Sequence, residues 1–132
     1  MYAPVFLIAL LSALFVSLVA SAPISSSTNE TSSGLTKRFD NQRMTWYKDG
    51  QDACGWSNTP DQYIVAISES LFGSGENCGK AITIQYGGAS ATATVADRCE
   101  ICPEYGLDLS EGLFSFFAPE HQGVIQAKWW FN

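Results

Sequence analysis

The sequence predicts a small, mainly β domain whose sheet closes or nearly closes into a barrel, and three observations carry that reading. After residue 38 the chain becomes a series of short segments rich in β-branched and aromatic residues, set apart by Gly, Asn, Pro and Ser clusters. Residues 39–132 are few for so many strands, and closure is the simplest way to remove exposed strand edges. All four cysteines, Cys54, Cys78, Cys99 and Cys102, fall in this segment, and an even count in so small a domain is most simply two disulfides.

The chain begins differently. Val5 to Ala20 is apolar apart from Ser12 and Ser17, and Ala20-Ser21-Ala22 has the small-residue form that signal peptidase reads. A run of this length is short for a membrane span, which needs roughly 20 residues, and no Lys or Arg flanks it. Residues 1–22 are therefore expected to be a secretory signal, with cleavage after Ala20 as the other option. Residues 23–38 are Ser/Thr-rich with little to bury, and read as a propeptide or linker. Asn29-Glu30-Thr31 fits the N-glycosylation pattern. Lys37-Arg38 ends the linker where composition turns aromatic; the pair resembles a kexin-type processing site, which points to a fungal secretory pathway and a mature domain over 39–132.

Within that domain, strands are expected at Met44 to Lys48, Tyr63 to Ser68, Ala81 to Tyr86, Ala91 to Ala96 and Val124 to Phe131. Ile82 and Ile84 share one face of the third, alternation resumes after Gly87-Gly88, and the pair reads as a hairpin. Trp129 and Trp130 must face opposite sides of the last strand, so one belongs to the core. A helix is expected to begin at Ser110 as N-cap and run to Pro119, packing Leu113, Phe114, Phe116 and Phe117 into the core. Cys99-x-x-Cys102 could belong to a zinc or redox motif, but no second pair exists and His121 is the sole histidine. Neither metal nor cofactor is expected.

Composition narrows the function. With 46% hydrophobic and 15% charged residues the chain is no disordered protein, and its formal charge of −6 argues against nucleic-acid binding. Residues 39–132 hold five Lys/Arg against twelve Asp/Glu, which leaves no basic patch for phosphate or anionic lipid. No membrane contact is expected once the signal is removed, and a monomer is expected.

Five landmarks then become recognisable: Ala53-Cys54-Gly55; Cys78-Gly79-Lys80; Ala93-Thr94-Val95-Ala96-Asp97-Arg98-Cys99 with Cys102; Leu107-Asp108-Leu109-Ser110; and Gly123-Val124-Ile125. Their order and spacing resemble RlpA-like double-psi β-barrel proteins, above all the small secreted fungal members, and more distantly barwin, the first expansin domain and endoglucanase family 45. The resemblance implies a six-stranded double-psi β-barrel with one or two short helices. Barwin's pattern implies the bonds Cys54–Cys78 and Cys99–Cys102, where the cysteine count alone leaves three connectivities open.

The same resemblance implies candidate site residues. Asp108 matches the acid of family 45, an aspartate required in expansins; Asp97 matches a groove aspartate of expansins; and Asp49, in Thr45-Trp46-Tyr47-Lys48-Asp49, resembles the strand that carries the family 45 base. Asp97 could equally bond nearby backbone N–H groups, Asp108 could fix the approach to the helix, and Asp49 before Gly50 could be a turn residue. Trp46, Tyr47, Trp56 and Tyr105 lie in or near the loops that the resemblance places around the groove, where flat rings could stack on sugars. Leu107 stands where the enzymes have an aromatic, so hydrolysis by paired aspartates is not expected. The reading is a secreted expansin/barwin-like protein of the extracellular space or cell wall that binds or loosens wall polysaccharide. The alternative is a protein-binding module, such as a cysteine-protease inhibitor or a host-interaction effector.

Overall fold

The structure is a computed structural model that describes residues 36–48 and 50–132; the signal segment, Asn29 with most of the linker, and Asp49 lie outside the described residues. The strands are β1 (Arg38–Tyr47), β2 (Ile64–Ser68), β3 (Ala81–Tyr86), β4 (Ala89–Cys99), β5 (Leu107–Ser110) and β6 (Ile125–Phe131). Helix α1 (Glu69–Phe72) follows β2, α2 (Glu111–Phe117) follows β5, and a 3-10 turn at Glu120–Gln122 leads to β6. Hydrogen bonding joins the strands in the cyclic order β1-β5-β2-β4-β3-β6, a closed barrel. β1/β5 and β2/β4 are parallel and the other pairings antiparallel. This is the six-stranded double-psi barrel with two short helices that the resemblance implied.

The hairpin is where Gly87-Gly88 placed it, with Tyr86 opposite Ala89 and Gly87 at a φ of 56° that favours glycine. Ile82 and Ile84 face the interior with Met44, Val65, Val95 and Trp129, all without solvent exposure. Trp129 is thus the core member of the tryptophan pair, and its Nε1 donates to the Tyr105 carbonyl at 2.9 Å.

Four expectations need correction. β1 starts at Arg38 rather than Met44: Phe39 and Met44 are both buried although an odd number of residues apart, because a bulge between Phe39 and Gln42, with Asn41 at φ 53°, resets the alternation. Leu107–Ser110, a landmark of the resemblance but not among the expected strands, is a strand held between β1 and β2. Ser110 precedes α2 but makes no side-chain cap; its hydroxyl instead accepts a bond from the Ile64 amide at 3.3 Å. Finally, Leu113 and Phe114 are core residues, but Phe116 is 48% exposed and Phe117 half-buried.

Both disulfides have the implied connectivity, Cys54–Cys78 and Cys99–Cys102. The first spans 24 positions of sequence and ties the β1–β2 loop to the turn before β3; the second closes a ring of only 3.

Candidate functional site

Asp108 is the second residue of β5. Its neighbours Leu107 and Leu109 fill the core, so the alternation of the strand turns Asp108 to the outer face. Thr45 stands opposite it on β1 and Ala66 opposite it on β2. Ala66 pairs in turn with Asp97 of β4. Paired residues share a face of a sheet, so Thr45, Asp108, Ala66 and Asp97 form one row across four strands.

Asp97 reaches this row through an irregularity. Val65 pairs with Val95, but Ala66 pairs with Asp97, which leaves Ala96 as an extra residue in β4. The loop crossing this point supports the bulge: the Cys54 amide donates to the Ala96 carbonyl at 3.0 Å, and the Ala53 amide donates to Asp97 Oδ1 at 2.7 Å. The Arg98 amide donates to the same oxygen at 2.8 Å. The backbone-binding role expected for Asp97 is therefore present, in a residue that also shares the outer face with Asp108.

Asp108 accepts a 2.6 Å bond from the Thr45 hydroxyl. Burial is the leading influence on its carboxyl and raises its pKa above the ordinary aspartate range; Asp97 raises it further, while the Thr45 bond and the Arg43 charge act in the opposite direction. Between the two aspartates, Ala66 is a buried floor with only a methyl group. Arg43, Thr45 and Tyr47 occupy alternate positions of β1 and form one wall, and Ala53 and Cys54 border the Asp97 side.

No family model matches the chain. It is 34% identical over 97 residues to the allergen Asp f 7 of Aspergillus fumigatus, covering 68% of this chain but only 36% of that protein. It is 30% identical over 96 residues to a papain inhibitor of Streptomyces mobaraensis, covering 67% of each chain. The solved Streptomyces papain inhibitor superposes with a TM-score of 0.65 at 29% identity, over 72% of this chain and 94% of that one. The chain belongs to the barwin/expansin-like double-psi β-barrel superfamily. An expansin of Clavibacter michiganensis has the same fold, with a TM-score of 0.67 at 24% identity over 73% of this chain and 50% of the expansin. A mutant of that expansin in complex with cellohexaose superposes comparably, with a TM-score of 0.66.

In this barwin/expansin-like barrel the aromatic candidates separate. Tyr47 lies on the Thr45 face of β1, opposite Ser110. Trp46 turns the other way, packs against the core and donates from Nε1 to the Glu120 carbonyl at 3.1 Å. Trp56 is 43% exposed in the loop anchored by Cys54–Cys78, close enough to Gly79 that a Cβ there would lie 3.4 Å from its ring. Tyr105 stacks on Phe39 at 4.6 Å, with the Lys37 ammonium 5.1 Å from its centroid. The structure thus groups Tyr47 with the aspartate row and Tyr105 with the Phe39–Trp129 cluster. Arg43 and Ala66 were missed by the sequence reading. The period-two series Arg43, Thr45, Tyr47 carried a signal for the first, and a lone Ala in Ile64-Val65-Ala66-Ile67 for the second.

Proposed function

We propose that this chain is a secreted, non-hydrolytic binder of cell-wall polysaccharide that holds a glycan strand along the row Thr45, Asp108, Ala66 and Asp97. The juxtaposition of those four residues carries the reading. A carboxyl with a raised pKa beside a hydroxyl offers both a donor and acceptors to sugar hydroxyls. The methyl floor of Ala66 lets a ring approach the sheet, and the stacking faces we assign to the strand are Tyr47, on the Thr45 face of β1, and Trp56, exposed in the loop that Cys54–Cys78 anchors.

Turnover would need one carboxyl protonated and a second free to act as base or nucleophile. Here the second carboxylate, Asp97, is tied through Oδ1 to two backbone amides that support the β4 bulge. Secretion by the signal over 1–22, glycosylation at Asn29 and processing after Lys37-Arg38 complete the proposal. Pull-down of the mature domain with cellulose, chitin and peptidoglycan is expected to show weak binding that Asp108→Ala removes, with no new reducing ends from soluble β-glucan. Sustained release of reducing ends that Asp108→Asn abolishes would overturn the non-hydrolytic reading.

The papain inhibitor relative supports a second reading, inhibition of a papain-like cysteine protease by a surface away from the aspartates. Asp108→Ala separates the two: glycan binding is lost on the first reading, and protease inhibition survives on the second.

A further inference from the structure

Tyr63, Phe116, Phe117 and Tyr86 form a continuous row of rings at the end of the barrel where β2 begins and β3 ends. Successive centroids are 5.9, 5.0 and 6.4 Å apart. Its outer half is not core: Tyr63 is 39% and Phe116 48% exposed, whereas Phe117 and Tyr86 are half-buried against the core and anchor the row to the barrel, and α2 packs through Leu113 and Phe114. It is also preformed. The Gly112 amide donates to the Pro60 carbonyl at 2.8 Å, and a Cβ on Gly112 would lie 2.8 Å from that same oxygen, so α2 is seated directly against the segment that leads to Tyr63.

Two properties identify the chemistry of an occupant. The ring planes meet at 54°, 78° and 85°, so they share no flat face on which consecutive pyranose rings could lie. The surrounding segments, 59–63, 86–89 and 111–124, contain Asp61, Glu111, Glu120 and His121 but no Lys or Arg. An aromatic ridge with an acidic border is complementary to an apolar cleft bordered by cations, and repels a second copy of itself. We infer that the Tyr63–Phe116 ridge docks a protein through such a cleft. Resting on the second reading above, the partner is a papain-like cysteine protease.

The experiment titrates papain with the full chain carrying Phe116→Ser, Phe116→Leu or Phe116→Ser with Tyr63→Ser. Ile101→Ser serves as the control, since Ile101 is 90% exposed within the Cys99–Cys102 ring. Inhibition is expected to weaken roughly tenfold or more for the Ser variants, as for an aromatic anchor, to be largely kept by Phe116→Leu and Ile101→Ser, and to fall as salt rises. Unchanged melting temperatures establish that the variants fold. Wild-type chain that leaves papain active overturns the protease reading and the partner with it. Inhibition that persists undiminished in the Ser variants overturns the ridge alone, and a concentration-dependent dimer dissolved by Phe116→Ser would replace the protease with a second copy.

Discussion

Strict alternation along β4 would turn Asp97 inward on the same side as Val95; the extra residue Ala96 turns it out beside Ala66 and Asp108. A single inserted residue thus decides whether Asp97 joins Asp108 on the outer face of the barrel. Asp108 has the simpler geometry and the clearer electrostatics. Its pKa is raised by burial, so its neutral form favours the folded state; that contribution is complete below the ordinary aspartate value of 3.8 and is lost as pH rises through the raised value. Asp108→Asn keeps an acceptor for Thr45 and removes the charge. It should therefore melt with wild type at acid pH and above it at neutral pH, by less than about 1 kcal/mol because the group is partly solvated. A difference that stays constant or narrows as pH rises would contradict this account. Asp97 and Asp108 stood out as candidates only through the resemblance of their flanking motifs. Their sharing a face was not legible, since nothing local in Val95-Ala96-Asp97 marks the bulge.

At the scale of elements, the β1–β2 loop matters more than its irregular path suggests. Cys54–Cys78 fixes the segment whose Ala53 and Cys54 amides support the β4 bulge. Opening that bond is expected to cost about 3 kcal/mol on the chain-entropy model. The Cys99–Cys102 ring constrains little beyond its own turn. Cys54→Ser should therefore lower the melting temperature much more than Cys102→Ser and weaken glycan binding along with it; equal losses would contradict the assignment of the long bond as the stabilising one. The hairpin of β3 and β4 was legible because Gly87-Gly88 and the alternating isoleucines act locally. β1 was read too short because its bulge breaks the period, and β5 was missed because four residues supply too little pattern against the motif that follows. In α2 the aromatic spacing was visible, but which rings face the barrel depends on how Gly112 seats the helix against Pro60.

At the scale of the molecule, among the described strands only β3 and β4 are neighbours both in sequence and in the barrel; every other pairing joins strands separated by at least one other strand in the chain. Such a topology places most of its contacts far apart in sequence and folds slowly for its size. β1 is the extreme case, because its partners β5 and β6 are the last two strands to be synthesised. The bond after Arg38 lies at its start, and Phe39, on the far side of that bond, is 7% exposed between Tyr105 and Trp129. An endoprotease must draw this residue out of the folded barrel, at about 2 kcal/mol for the ring alone, roughly a thirtyfold loss of rate if cleavage proceeds through the open form. Reduced and unfolded precursor should thus be cut by a kexin-type protease much faster than native precursor, to give a chain beginning at Phe39. Equal rates would show that the start of β1 frays freely, and no cleavage of either would remove the processing site. Because Arg38 and Phe39 pair only with β6, while β5 engages β1 no earlier than Met44, the aromatic seal around Phe39 would act as a clock on the proposed processing site: the bond after Arg38 stays open to a protease until the last strand docks.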